Sequence, residues 1–143
     1  MAGKGIRRAS REDVGDCARI IATWAAQTDW IPEELPEEKL ADLILEAFPN
    51  RDIWIAGDPI DCYMSVDPVE HKVGALYCLR TGQGIGKQLL DKAKEGRDHL
   101  WLTTHVPNVD AQRFYRREGF VETGREPPVP PDTVPVIRME WHA

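Results

Sequence analysis

Three glycines alternate in Gly82-Gln83-Gly84-Ile85-Gly86-Lys87, where an apolar run ends and a helical pattern begins. Residues without side chains at a strand-to-helix junction let backbone N–H groups turn toward an anion, and a helix N-terminus adds partial positive charge. The chemistry this predicts is the grip of a phosphorylated cofactor. Downstream, Asn108, Ala111 and Tyr115 are spaced 0, +3 and +7 and therefore share one helix face. His105 stands just before them. Histidine is the side chain whose unperturbed charge change falls near neutrality, so it suits a general base.

Two well-known glycine motifs fail on spacing. A phosphate-binding P-loop needs glycine six residues before Lys87 and Ser or Thr after it, but Thr81 and Gln88 stand there. A dinucleotide fingerprint, GxGxxG, meets Lys87 or Leu89 at its last position.

The elements that must position these residues can be read from periodicity. Ile6–Ala9 predicts a short strand. Ser10-Arg11-Glu12-Asp13 resembles a capping box ahead of a helix that buries Val14, Cys17, Ala18, Ile21, Trp24 and Ala25. After Pro32 and Pro36, a second helix carries Leu40, Leu43, Ile44 and Ala47 and stops at Pro49-Asn50. Asp52–Ala56 and Asp61–Val66 read as a hairpin through Gly57-Asp58-Pro59, and Lys72–Leu79 as a central strand. A helix buries Ile85, Leu89, Leu90 and Ala93 and ends near Gly96; a strand follows over His99–Thr104. Asn108 suits an N-cap and Gly119 a C-terminal cap of the last helix. Strands over Phe120–Arg125 and Val136–Trp141 flank a stiff loop, Glu126–Pro135, with five prolines. The predicted fold is α/β, a mixed sheet in the order β-α-α-β-β-β-α-β-α-β-β, forming a single domain over residues 1–143.

Composition narrows the function. Hydrophobic residues make up 42% and charged ones 29%, the profile of a folded rather than a disordered chain. A net charge of −6 argues against nucleic acid as the main partner, because phosphate neutralisation needs a basic face. Cys17, Cys62 and Cys78 form no metal-type pair, so free thiols in a reducing cytoplasm are expected, with no metal. No apolar stretch is long enough for export or a membrane span. From Asp29 to Ala47 seven acids face one base, Lys39. That segment either draws in a cation or is a solvated helix face.

The segment LYCLRTGQGIGKQLL, followed by NVDAQRFYRREGF, resembles the GNAT superfamily of N-acetyltransferases. Thr81 stands where that family usually has Gln or Arg, with Arg80 one residue early. The resemblance implies a GNAT-like fold with a central splayed strand pair and acetyl-CoA as cofactor. It implies that Leu76, Tyr77, Cys78 and Leu79 lie along the pantetheine arm. Thr81, Gly82, Gln83, Gly84, Ile85, Gly86 and Lys87 would hold the pyrophosphate, and Asn108, Ala111 and Tyr115 would flank the arm from the last helix. By the same resemblance Tyr115 protonates the leaving thiolate, and a strand N–H near Leu79 polarises the tetrahedral intermediate.

The acyl acceptor must be a neutral amine. A lysine-like amine is unprotonated in only about one molecule per 2,500 at neutral pH, a deficit of roughly 4.6 kcal/mol, so catalysis needs desolvation, a base, or both. His105 is the first candidate base, with Asp67 and Glu70 next. Glu33 and Glu34 could line the acceptor entrance, and Trp24, Trp30 and Tyr63 either shape a pocket or pack the core. A small-molecule amine and a peptide N-terminus are both open as acceptors. A homodimer through the last strand or a helix face is compatible with the pattern. The alternative to an enzyme is a non-catalytic acyl-CoA-binding or regulatory module on the same fold.

Overall fold

The computed structural model describes residues 5–31, 36–128 and 133–143. Seven strands form one sheet in the order β1-β2-β3-β4-β5-β7-β6. In chain order they are β1 (Ile6–Arg8), β2 (Asp52–Gly57), β3 (Ile60–Asp67), β4 (Lys72–Cys78), β5 (His99–His105), β6 (Val121–Glu126) and β7 (Val136–His142). The helices are α1 (Val14–Ala26), α2 (Glu37–Ala47), α3 (Ile85–Lys94) and α4 (Val109–Arg117). Short 3-10 turns at Arg11–Asp13 and Phe48–Asn50 precede α1 and extend α2. None of these helices is long and apolar enough to cross a membrane.

Each helix exists because it has an apolar stripe to bury. On one face of the sheet, Val14, Cys17, Ala18 and Ile20 of α1 and Ile44 of α2 pack on Ile53, Ile55 and Tyr63. Ile20 reaches full burial, whereas Ile21, expected on the stripe, only borders it. On the other face, Ile85, Leu89, Leu90 and Ala93 of α3 and Tyr115 of α4 pack on Met64, Leu100, Leu102, Ile137 and Met139. The Ser10 N–H and hydroxyl both donate to the Asp13 carboxylate, at 2.8 and 3.1 Å, which turns the chain into α1.

The two halves of the sheet differ in cover. β3 is buried along most of its length, whereas β5 alternates strictly between half-buried and buried residues. That alternation marks a strand with one face on the core and the other toward solvent. The β1–β4 half carries helices on both faces, while the β5-β7-β6 half has one face that takes no part in the α1/α2 core.

The topology refines one expectation. The crossover through α3 makes β4 and β5 parallel neighbours, but α4 returns the chain to β6, and β7 inserts between β5 and β6. The last strand is therefore paired on both sides and offers no free edge for a dimer; the edges belong to β1 and β6. Part of the proline-rich loop, residues 129–132, lies outside the described residues.

Candidate active site

β4 and β5 share a single ladder pair, Lys72 with Trp101, and then part. The gap is a cleft of about 930 Å³ walled by Val73–Cys78 on one side and Leu102–His105 on the other. Both α4 and the glycine turn close it.

The strand offers unpaired backbone groups to this cleft. Leu79 N–H donates to the Asp61 carbonyl at 2.9 Å. Antiparallel pairs alternate between exchanging hydrogen bonds and not doing so. With Tyr63 opposite Tyr77 and Cys62 opposite Cys78, Tyr77 directs its N–H and C=O at β3, while those of Leu76 and Cys78 point into the gap. The donor expected near Leu79 cannot be the N–H of Leu79 itself. Its N–H is spent within the sheet and its side chain packs with the α1 face, so Cys78 carries the nearest outward N–H.

At the far end of the gap each glycine has its own task. Gly82 and Gly84 have φ of 80° and 76°, a conformation that side chains disfavour, and Gly84 is the N-cap of α3. Gly86 instead provides room: a Cβ there would stand 3.3 Å from Phe114 Cζ. Arg80 braces the turn from below, with Nε and Nη2 on the Asp61 carboxylate at 2.7 and 3.1 Å and Nη1 on Gln83 Oε1 at 2.8 Å. Those bonds hold the Asp61 carboxyl below the usual aspartate range. The Gln83 side chain is turned to Arg80, and neither it nor Leu79 is among the residues that line the cleft. Lys87 does line it, with Glu118 and Asp91 at 3.3 and 3.4 Å.

Thr81, Ile85, Asn108, Ala111, Tyr115 and His105 all border the same space. Asn108 caps α4, its Oδ1 accepting from Ala111 N–H at 3.2 Å. Tyr115 is 8% exposed and stands edge-on to Phe120, 5.7 Å between ring centres. Burial pushes its hydroxyl above the ordinary tyrosine value, and Tyr77 and Cys78 add to that push. Cys62 and Cys78 stand opposite each other on β3 and β4, and their interaction raises the first thiol and lowers the second.

Two cations that sequence reasoning passed over, Arg113 and Arg117, join Arg80 and Lys87 on the cleft wall against the acids Asp110 and Glu118. The cleft is locally basic in a chain of net charge −6. Their signal was available in Arg113-Phe114-Tyr115-Arg116-Arg117, where a four-residue step puts both arginines on one face of α4.

A smaller recess of about 260 Å³ adjoins the cleft through Trp24, Asn108 and Asp110. Trp30 and Asp29 line it as well. The Trp30 ring lies 4.8 Å from His105 and 5.8 Å from Trp24. Tyr63 is core, stacked on Tyr77 at 6.3 Å. Asp67 and Glu70 are removed from the cleft: Asp67 Oδ1 accepts the N–H groups of Val69 and Glu70 in the β3–β4 turn, at the closed end. Glu33 and Glu34 lie outside the described residues.

A long, narrow ligand with amides along one strand and phosphates at one end matches this arrangement. The comparisons agree. Residues 49–122 match the acetyltransferase (GNAT) domain. The chain is 30% identical over 128 residues to the peptidyl-lysine N-acetyltransferase YjaB of Salmonella typhimurium, covering 82% of this chain and 84% of that protein. The fold superposes on the ribosomal-protein-alanine N-acetyltransferase of Brucella melitensis with a TM-score of 0.75 at 18% identity, covering 97% and 99% of the two chains. It also matches YncA of Salmonella typhimurium, solved with its cofactor acetyl-CoA, with a TM-score of 0.73 at 17% identity over 97% and 93%. The chain belongs to the GNAT family of acetyltransferases, enzymes that move an acetyl group from acetyl-CoA to an amine.

Proposed function

We propose that residues 1–143 act as one catalytic unit that acetylates the side-chain amine of a lysine in a peptide or protein, by direct attack. Acetyl-CoA, when bound, supplies the activated carbonyl. The outward N–H of Cys78 is the donor for the oxygen that gains charge, and Leu76 serves the pantetheine amides. Gly82, Gly84, Gly86, Thr81, Ile85 and Lys87 hold the pyrophosphate end, and Arg113 and Arg117 add positive charge along α4. Asn108 and Ala111 keep the helix face close-fitting. Tyr115 gives its proton to the departing thiolate, and its raised pKa keeps it protonated for that step. His105 takes a proton from the incoming amine.

The observation that carries this reading is the recess beside His105. Two tryptophans and the carboxylates of Asp29 and Asp110 make a place that attracts an alkylammonium through ring faces and charge. The family relative YjaB is named for peptidyl-lysine. A cytoplasmic setting goes with this reading, since Cys17, Cys62 and Cys78 are all free thiols. The test is an acceptor screen, scored by release of free thiol, over lysine peptides, peptides with only an N-terminal amine, and small polyamines. Lysine peptides should turn over fastest, and Asp29→Asn should raise their KM without changing that of acetyl-CoA. Equal or better turnover of N-terminal amines or polyamines would overturn the assignment.

A further inference from the structure

The uncovered face of the β5-β7-β6 half carries a cluster that acetyl transfer does not use. His99 opens β5, and His142 closes β7 directly opposite it. Ala143 N–H donates to the Asp98 carbonyl at 3.0 Å, so by alternation His99 and His142 form the non-hydrogen-bonded kind of pair, in which side chains come closest. Their rings stack with centroids 4.7 Å apart at 28°. Glu140, two residues before His142, projects from the same face, and its Oε1 meets His99 Nε2 at 2.8 Å. Arg138 Nε holds the other carboxylate oxygen at 3.3 Å, which leaves Oε1 directed at the histidines.

We propose that His99, Glu140 and His142 bind a divalent transition-metal ion of the zinc class. One ligand atom from each residue lies within 4.8 Å of the others. Tetrahedral zinc with bonds of about 2.0–2.1 Å needs ligand atoms about 3.3 Å apart. His142 is exposed at the strand end, which leaves its ring free space to turn toward the other two ligands. Two imidazoles and one carboxylate form a nitrogen-rich set that selects Zn²⁺, Ni²⁺ or Cu²⁺ over Mg²⁺ or Ca²⁺. Water completes the shell on the solvent side. The cysteine spacing gave no hint of this site, because its ligands come from strands far apart in the chain and meet only through the β5–β7 register.

The site is not catalytic for acetyl transfer. His99 and His105 occupy opposite ends of β5, about 20 Å apart at ~3.3 Å per residue, and the cleft lies at the His105 end. A bound ion would instead clamp β5 to β7.

The experiment titrates zinc chloride into the tag-free, chelator-treated full chain by isothermal calorimetry, with a thermal melt in parallel. One ion per chain should bind, and the melting temperature should rise with zinc. His142→Ala should weaken binding at least tenfold and abolish the zinc-dependent rise, while melting like the parent in chelator. Glu140→Gln should also weaken binding, and His105→Ala should retain it. Acetyl transfer by the parent should be the same with chelator as with zinc, which keeps this proposal separate from the catalytic one. No stoichiometric uptake by the parent, or equal uptake by a folded His142→Ala chain, would overturn it.

Discussion

Gly86 lies under the ring of Phe114, so close that a methyl group at position 86 would stand 3.3 Å from Cζ. The contact ties the glycine turn to α4, the helix that also carries Tyr115. Gly84 is different: the space around it is open, but its φ is 76°. Gly84→Ala should therefore cost about 1–2 kcal/mol from backbone strain alone. Gly86→Ala should cost less, because the ring of Phe114 can shift by a few tenths of an ångström. Both should raise the KM for acetyl-CoA, and denaturant melts with initial-rate kinetics separate the two effects.

Removing the Tyr115 hydroxyl tests its assigned role. Tyr115→Phe keeps the ring against Phe120 and should leave the melting temperature and acetyl-CoA affinity nearly unchanged. Turnover should fall by about 10²–10⁴-fold, the usual worth of a positioned acid. Because burial lifts this hydroxyl above its ordinary value of 10.0, the alkaline limb of the parent's pH–rate profile should not come from Tyr115. A steady fall of kcat through the ordinary tyrosine range, absent in the variant, would contradict that.

Arg80 and Asp61 make stability depend on acid. Asp61 titrates below its ordinary 3.8 in the folded chain, chiefly through its hydrogen bond to Arg80. The carboxylate's contribution is therefore fully present above the ordinary value and is lost as pH falls through the lowered one. Asp61→Asn should melt lower than the parent at neutral pH, and the gap should begin to narrow below about pH 4. Melting curves recorded from neutral pH down to pH 3 give the comparison.

Cys78 should be the reactive thiol of the three. It is half-buried on the cleft wall and lowered by its interaction with Cys62, whereas burial pushes Cys17 up to about 12. Limited alkylation followed by peptide mass spectrometry should label Cys78 first, and saturating coenzyme A should protect it. Preferential labelling of Cys17 would contradict this order of reactivity.

How far the chain could be read in advance follows from which interactions are local. The strand–turn–helix around Gly82–Gly86 and the Asn108 cap depend on neighbours within a turn, and both are present as expected. The insertion of β7 between β5 and β6 was not legible, because no local preference records which strands become neighbours. That Leu79 N–H would be spent on Asp61 was not legible for a related reason, since the β3–β4 register sets that partner, whereas the Gln83 side chain is held by Arg80 only three positions away. Asp67 and Glu70 suited a base by residue type and by standing near the start of the central strand; the β3–β4 turn carries them away from the opening.

One rung joins β4 to β5. The left and right strands therefore gain little stiffness from each other through the ladder, and apolar contact beneath α3 and α4 is what keeps them in step. An extended cofactor bonding to Leu76 and Cys78, as proposed above, would act as mortar between two walls, standing where a neighbouring strand would otherwise have bonded. Rigidity across the whole sheet would then belong to the loaded enzyme, with each turnover dissolving and remaking the seam.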